Sequence, residues 1–117
     1  MAERLTSHLD GMKTAAANAV AFLDGMPLDL FVADPKTQSA VAMCLALVGE
    51  AANRIAADSP EFIAAHPQWP WDQMRGLRNR IVHSYDTLDL PVVWSTVTDF
   101  LPSLLSAISK AESPNGG

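Results

Sequence analysis

The chain has 117 residues, of which 49% are hydrophobic and 18% are charged. This length allows one domain with a modest core and excludes a two-domain cofactor enzyme, while the apolar content excludes an intrinsically disordered chain. With 8 basic residues against 13 acidic ones, the net charge of −5 argues against a protein that coats long nucleic acid by neutralising phosphates, so any nucleic-acid contact must be local.

A first helix is predicted from Glu3 to Leu23. Apolar residues recur there at steps of three and four, which is the spacing of one buried helical stripe. The stripe consists of Leu5, Leu9, Met12, Ala16, Val20 and Leu23. We expect Gly25 and Pro27 to end the helix, because glycine adopts a left-handed cap and proline cannot extend the hydrogen-bond ladder. A short loop should follow.

A second long helix and a short helix are predicted next. Asp34-Pro35 is typical of a helix cap followed by proline at the first helical position, and this helix should run to about Ala57 with apolar residues on nearly every side. Ser59-Pro60-Glu61 repeats the start signal for a short helix that ends near Ala65. The segment 66–70 is a proline-broken connector that carries a tryptophan.

Two further long helices complete the chain. One runs from Trp71 to about Tyr85, and the other begins after the cap residue Asp89. Pro102 should kink the last helix, because proline removes one backbone hydrogen bond. The expected core faces are Met74, Leu77, Ile81, Val82 and Tyr85 in the first, and Val93, Val97, Phe100, Leu101, Leu104 and Ile108 in the second.

These elements predict an all-α fold, an antiparallel helical bundle of four long helices plus one short helix. No segment alternates apolar and polar residues for long enough to indicate a strand. Short connections favour antiparallel neighbours. We expect residues 1–112 to form a single helical domain and residues 113–117 to form a flexible tail.

The compartment is predicted from the cysteine content and the start of the chain. Cys44 is the single cysteine, so no intrachain disulfide can form, and a reducing cytoplasm is expected. No basic stretch leading into an apolar core follows Met1, so no secretory signal is expected. The longest apolar run, residues 40–49, is shorter than the roughly 18 residues of a membrane span, so no membrane contact is expected.

Arg78 is the residue whose position carries most information. On an ideal helix it falls among the apolar residues Met74, Ile81, Val82 and Tyr85. A guanidinium keeps its charge, so this position requires a carboxylate, a phosphate or a water-filled groove beside it. Glu50 is the natural structural partner, because it is the only charged residue between Lys36 and Arg54. A purely structural ion pair therefore stays open as an alternative to a binding role.

The same helix carries a polar strip along one flank. Arg75, Asn79 and His83 follow one another at steps of four. Arg75 and Arg80 also join Arg78 in a group of three arginines within six residues. Arginine suits bidentate phosphate contacts, so this local concentration indicates a small anion site.

The segment Arg78–Tyr85 resembles the R-x4-H-x-Y signature of HepT-like toxins in the HEPN superfamily, including the polar Asn79 directly after the arginine. Ala46–Ala52 resembles the Gly-Glu-Ala segment that the family carries on its second helix. The acidic connector before Pro35 and the tryptophan-bearing stretch before the motif also fit. The resemblance covers most of the chain.

The resemblance implies a metal-independent endoribonuclease that acts as the toxin of a type II-like toxin–antitoxin system. It implies a homodimer whose paired motifs line one cleft, and catalytic roles for Arg78 and His83. The implied partner is an MntA-type nucleotidyltransferase antitoxin that attaches AMP to the motif tyrosine, Tyr85. No cofactor is implied. We assign supporting roles to Asn79, Glu50 and Arg75.

The implied chemistry suits these residues. In metal-free RNA cleavage the ribose 2′-hydroxyl attacks the adjacent phosphate, so the protein supplies proton transfer and charge stabilisation. Histidine has a reference pKa of about 6.5, which suits His83 for proton transfer, and Arg78 can hold the phosphate oxygens. The two side chains lie about 140° apart on an ideal helix, so either the helix unwinds near His83 or Arg78 acts across a dimer seam. We expect surface or structural roles for His8 and His66.

Alternative functions remain open. A non-catalytic module that binds a nucleotidyltransferase would tolerate loss of His83 but not of Arg78. A small-molecule site would rest only on Trp69, Trp71 and Trp94, which are more often core residues. A metalloenzyme is disfavoured, because the chain lacks the several inward carboxylates of bundle metal sites. For a ribonuclease, the acidic charge balance favours a compact target such as a tRNA end.

Overall fold

The computed structural model describes residues 3–112, and these form six helices, four of them long. The helices are α1 (Glu3–Leu23), α2 (Leu28–Val32), α3 (Pro35–Asp58), α4 (Pro60–Ala65), α5 (Trp71–His83) and α6 (Leu90–Glu112). A 3₁₀ turn over Tyr85–Thr87 joins α5 to α6. The described residues contain no strand, so the predicted all-α class is confirmed. The predicted tail, 113–117, lies outside the described residues.

Helix α3 is the centre of the bundle, with α1 on one side and α5 on the other. His8, near the start of α1, bonds Asp58 at the end of α3, so these two helices run antiparallel. Asn53 near the end of α3 bonds Arg75 near the start of α5, so this pair is antiparallel as well. Helix α6 packs along α1. The fully buried side chains along the axis include Leu9, Met12, Leu45, Val48, Ile55, Met74, Leu101 and Ile108.

The predicted caps at Asp34 and Asp89 and the predicted end of α1 are found where the local signals place them. The Asp34 carboxylate accepts hydrogen bonds from the backbone N–H and the hydroxyl of Thr37, which lowers the pKa of Asp34. The Asp89 carboxylate accepts one from the N–H of Val92 at the start of α6. Gly25 follows α1 with a left-handed φ of 69°.

Helix α2 lies where the sequence predicted a loop. Its five residues are too few to show an apolar period, and Pro27 precedes it. Phe31 is fully buried and anchors the helix to the core. The side-chain amide of Gln38 donates to the carbonyl of Phe31 at 2.8 Å and to that of Val32 at 3.0 Å, which joins α2 to α3.

Helix α6 contains a π-helical turn over Thr96–Phe100, just before Pro102. In this turn the N–H of Leu101 donates to the carbonyl of Thr96 instead of the residue four positions back. A proline ring clashes with the carbonyl four residues before it, and a widened turn relieves that clash. The irregularity predicted at Pro102 is therefore a π turn upstream of the proline, and the helix continues to Glu112.

The predicted core face of α5 is only partly correct. Met74, Leu77 and Ile81 are buried, whereas Val82 and Tyr85 are exposed. Helix α5 ends at His83, so Tyr85 lies in the 3₁₀ turn and leaves the helical stripe. Among the core residues expected in α6, Phe100 is half-buried and the others are buried.

The tryptophans pack inside the fold. The Trp69 and Trp71 indoles stack at a centroid distance of 5.2 Å, and Phe62 contacts both edge-on. The indole N–H of Trp71 donates to the carbonyl of His66, and that of Trp94 donates to the carbonyl of Met26. These contacts favour the structural interpretation of the tryptophans over a small-molecule site.

Two helices of the described chain, α3 and α6, are long and apolar enough to span a membrane by length and composition alone. Half of the apolar window of α3 is buried inside the fold, as expected for the central helix of a bundle. The corresponding apolar segment of α6 is 28% buried inside the fold.

Candidate functional site

The seam between α3 and α5 carries the candidate site, and Gly49 sets the distance between the two helices. A Cβ atom at Gly49 would lie 2.6 Å from the backbone N of Arg78 and 2.8 Å from the carbonyl O of Met74. Real Cβ atoms do not approach backbone so closely, so only glycine lets α5 lie this near α3. The Gly-Glu-Ala segment therefore places the backbone of Arg78 directly on α3.

Glu50 follows Gly49 and holds two arginines at once. Arg78 Nε lies 3.2 Å from Glu50 Oε1, and Arg54 Nε lies 3.1 Å from Glu50 Oε2. The expected pair of Arg78 with Glu50 is thus present. The expectation that Arg78 is surrounded by apolar side chains is wrong, because its side chain is 47% exposed and that of Glu50 is 36% exposed. Arg78 lies at the edge of the buried face because Val82 and Tyr85 beside it are themselves exposed.

The polar strip of α5 is exposed as predicted, and Arg75 joins the seam. Arg75 Nε donates to Asn53 Oδ1 at 3.0 Å. Asn79 accepts a long contact of 3.5 Å from Arg78 Nη1. Arg80, which the sequence grouped with the other two arginines, lies elsewhere, because its Nη2 donates to the backbone carbonyl of Gln73 on α5 itself.

His83 and Tyr85 lie at the exposed end of α5. His83 is the last residue of the helix, and Ser84 is its C-cap. The Tyr85 hydroxyl hydrogen-bonds the hydroxyl of Ser39 near the start of α3, while its side chain remains exposed. Core packing, the alternative role for Tyr85, is therefore wrong.

Arg78 and His83 are not brought together by one copy of α5. The helix extends through His83, so the two side chains leave it about 140° apart. Of the two arrangements that the sequence left open, unwinding near His83 occurs only after that residue, because α5 is helical through His83 and Ser84 is its C-cap. The end of the helix directly after His83 instead leaves this side chain at an exposed corner.

An exposed apolar patch accompanies the motif. Met43 and Leu47 on α3 and Val82 on α5 are each about half exposed or more, with values of 62%, 49% and 55%. Met43 and Leu47 lie on the same face of α3 as Ser39, Glu50 and Arg54. We call this surface the motif face. It consists of Ser39, Met43, Leu47, Glu50 and Arg54 on α3, Arg75, Arg78 and Val82 on α5, and Tyr85 in the 3₁₀ turn that follows.

The other two histidines have structural partners. His8 Nε2 donates to Asp58 Oδ2 at 2.8 Å, and this hydrogen bond lowers the pKa of Asp58. His66 Nδ1 lies 2.9 Å from the carbonyl O of Phe62, and its ring stacks on the ring of that residue. A carbonyl only accepts, so His66 donates from Nδ1.

No group of three or more His, Cys, Asp or Glu side chains within residues 3–112 is arranged to hold a metal ion. Cys44 is a free, buried thiol on α3, and burial raises its pKa. This thiol is protonated at neutral pH, which makes it a poor nucleophile or metal ligand.

Sequence reasoning missed Arg54 and Asn53. Both lie on α3 within four residues of Glu50, at the spacing that places side chains on one helix face. The i,i+4 spacing of Glu50 and Arg54 is a signal that could have identified Arg54. The contact of Asn53 with Arg75 depends on the register of α3 against α5, which no local pattern gives.

Comparison with known proteins adds a family match. The model of the family described as Ribonuclease HepT-like matches residues 12–111. A protein of Thermococcus cleftensis named as a probable ribonuclease HepT is 39% identical over 80 residues, which cover 68% of this chain and 70% of the relative. A Methanocaldococcus jannaschii protein named as a putative RNase is 32% identical over 102 residues, or 87% of this chain and 78% of the relative. No solved structure is significantly similar to the chain.

Proposed function

Because the chain belongs to the HepT-like ribonuclease family, we propose that it is a metal-independent endoribonuclease and the toxin of a cytoplasmic toxin–antitoxin system. The relatives named as ribonucleases support an RNA substrate. The observation that carries the mechanism is the exposure of Arg78, His83 and Tyr85 along the end of α5, outside the core of the bundle.

Cleavage proceeds by attack of the ribose 2′-oxygen on the adjacent phosphorus. The new bond joins the 2′-oxygen to phosphorus, and the bond to the 5′-oxygen of the next nucleotide breaks. A base removes the 2′-hydroxyl proton and an acid delivers a proton to the leaving 5′-oxygen. The products are a 2′,3′-cyclic phosphate and a 5′-hydroxyl. Arg78 stabilises the charge on the non-bridging oxygens, and Glu50 holds its guanidinium in place.

The active form is a homodimer joined through the apolar part of the motif face, Met43, Leu47 and Val82, so that the paired motifs line one cleft. One protomer has a single His83, and its helix directs Arg78 and His83 to different sides. Two copies supply a base and an acid, and the Arg78 of one protomer then faces the His83 of the other. Met43, Leu47 and Val82 supply exposed apolar surface beside the motif for such an interface.

The cleavage test uses purified protein and RNA in buffer with EDTA. We expect cleavage products with cyclic phosphate and 5′-hydroxyl ends, and no cleavage of RNA in which every 2′-hydroxyl is methylated. His83→Ala should abolish cleavage and leave thermal stability unchanged, because His83 is exposed. The matched control is His66→Gln, at the end of α4 and outside both the motif face and the groove that Arg54 lines. If cultures that express the wild type and His83→Ala show the same growth and the same RNA integrity, the proposed toxin function is refuted.

The dimer is tested by the mass of the protein in solution. Val82→Glu should shift the protein from dimer to monomer, because it buries a charge in the interface, and should reduce cleavage in parallel. Val92→Glu is the control, since Val92 is equally exposed on α6, away from the motif face. Equal dimer fractions in both variants would place the interface elsewhere.

Control by an MntA-type nucleotidyltransferase antitoxin acts on Tyr85. The exposed phenol oxygen attacks the α-phosphorus of ATP, forms a phosphodiester and releases pyrophosphate. The modification removes the hydroxyl proton of Tyr85, so Tyr85 can no longer donate a hydrogen bond, and it places phosphate and a nucleoside on the motif face. Coexpression with the neighbouring nucleotidyltransferase should add the mass of one AMP. Tyr85→Phe should abolish this addition, and an unchanged addition would show that another residue is modified.

A further inference from the structure

We propose that Arg54 and Arg75 extend the site of Arg78 into a row that binds the phosphates flanking the cleaved one. This inference rests on the proposed ribonuclease function. We call these three residues the arginine row. Arg75 lies one turn before Arg78 on α5, and Arg54 shares the Glu50 carboxylate with Arg78 from α3.

The three guanidiniums are held in the same way. Each directs Nε at a side chain of α3. Arg75 donates to Asn53 at 3.0 Å and Arg54 donates to Glu50 at 3.1 Å, while Arg78 Nε forms an ion pair with Glu50 at 3.2 Å. An arginine carries two further nitrogens with four N–H groups, which are the pair that grips phosphate oxygens. Within residues 3–112, Arg54 and Arg75 make no hydrogen bond through these outer nitrogens, and Arg78 makes only the long contact to Asn79.

The charge and position of the row fit an RNA backbone. Arg54 and Arg78 share the single carboxylate of Glu50, and Arg75 bonds the neutral amide of Asn53, so the row is positive in a chain whose net charge is −5. All three are exposed, and anchoring through Nε lowers the conformational entropy that each loses on binding. Arg54 also lines a groove of about 470 Å³ between α1 and α3, which gives room for a nucleotide beside its phosphate.

Arg80 provides the contrast within α5. It carries the same charge and is exposed, but its outer nitrogen Nη2 donates to the carbonyl of Gln73, on its own helix. Arg80 therefore lies outside the arginine row, although the sequence places it two residues from Arg78.

The experiment measures binding and cleavage separately. Binding is followed by fluorescence anisotropy with a labelled 2′-O-methyl oligoribonucleotide of randomised sequence, which the proposed chemistry does not cleave. Arg54→Gln and Arg75→Gln should each weaken binding about tenfold, as expected for loss of one charge-assisted contact. Log affinity falls as log salt concentration rises. Each substitution should make this slope less steep by about 0.7, which is the value for one phosphate on a single strand. Arg80→Gln should change the affinity less than about twofold.

Cleavage kinetics of unmodified RNA complete the test. Arg54→Gln and Arg75→Gln should raise KM with little change in kcat, because they bind phosphates that do not react. If wild-type protein cleaves RNA but these variants match Arg80→Gln in affinity and salt slope, the arginine row is refuted and the ribonuclease function stands. If wild-type protein binds the oligonucleotide in the predicted way yet cleaves no RNA, the ribonuclease function fails while the row remains a binding site. A wild-type protein that binds no oligonucleotide overturns the row.

Discussion

Gly49 and Arg78 touch through their backbones. The missing side chain of Gly49 leaves the space that the main-chain nitrogen of Arg78 fills, and the next residue along α3, Glu50, then bonds the guanidinium. Gly49 and Glu50, which are adjacent on α3, thus position both the main chain and the side chain of Arg78. This couples the packing of the bundle to the geometry of the proposed active site.

Gly49→Ala should destabilise the protein and reduce cleavage together. The added methyl group would overlap the backbone of α5, so the helices must separate, and overpacking of this kind costs about 1–3 kcal/mol. Separation also moves Arg78 away from its position over Glu50. Urea denaturation and RNA cleavage assays measure the two effects.

Gly11→Ala is the matched control for that substitution. Gly11 lies within α1, and an added Cβ there meets nothing within 4 Å. Replacing this glycine should stabilise the protein by about 0.5–1 kcal/mol, because alanine favours helix. Equal stabilities of the two variants would contradict the close contact of α3 with α5.

Glu50→Gln should separate binding from catalysis. Glutamine has one acceptor oxygen in place of two and no charge, so it cannot hold both Arg54 and Arg78 as the carboxylate does. We expect kcat to fall about tenfold, equal to about 1.4 kcal/mol of transition-state stabilisation, while KM does not rise because the surface becomes more positive. Steady-state kinetics check both values.

The stability of Glu50→Gln should change by less than about 1 kcal/mol, because both ion pairs are substantially exposed. Glu112→Gln is the control, since it removes the exposed pair with Lys13 far along α6. This control should leave kcat unchanged. A rise in KM with normal kcat in Glu50→Gln would mean that the carboxylate serves substrate binding alone.

Phe31→Ala should be among the most damaging single substitutions. Phe31 is fully buried and ties the short helix α2 to the bundle, and removing a buried phenylalanine costs about 3–5 kcal/mol. Val32→Ala, at the exposed neighbouring position, should cost less than about 0.5 kcal/mol. Thermal denaturation of the two variants gives the comparison, and similar losses would mean that α2 does not anchor in the core.

Asp58→Asn should destabilise the protein at pH 7 but much less in acid. The hydrogen bond from His8 lowers the pKa of Asp58 in the folded state. The stabilisation is therefore present above the unfolded-state pKa of about 3.9 and is lost as the pH falls through the lower folded pKa. Urea denaturation of wild type and variant between pH 7 and acid measures the difference. Asp10→Asn, an exposed carboxylate on α1, is the control, and a difference that grows in acid would reverse the proposed linkage.

The sequence predicts the parts of this fold that depend on neighbours along the chain. The caps at Asp34 and Asp89 and the buried stripe of α1 are local, because one helical turn decides them. Helix α2 was missed because five residues carry no period, and its order comes from Phe31 packing into the core.

In the candidate site too, the sequence predicts what local patterns determine and not what tertiary packing determines. The pairing of Arg78 with Glu50 was predicted because one charge stands out in an apolar helix. The exposure of Val82 and Tyr85 was not predicted, because the burial of a helical face depends on which other element covers it. Grouping Arg80 with Arg75 was wrong for a related reason, because closeness in sequence does not place two side chains on one side of a helix.

Anchoring through Nε also explains why lysine would be a poor substitute along this seam. A lysine ends in a single ammonium nitrogen, so bonding Asn53 or Glu50 would draw the whole charge inward toward α3. An arginine divides the two tasks between different nitrogens of one rigid plane, facing the protein with one edge and the solvent with the other. A positive charge alone at position 54 or 75 is therefore not sufficient. The side chain must also bond α3 through one nitrogen and leave other donors directed at the solvent.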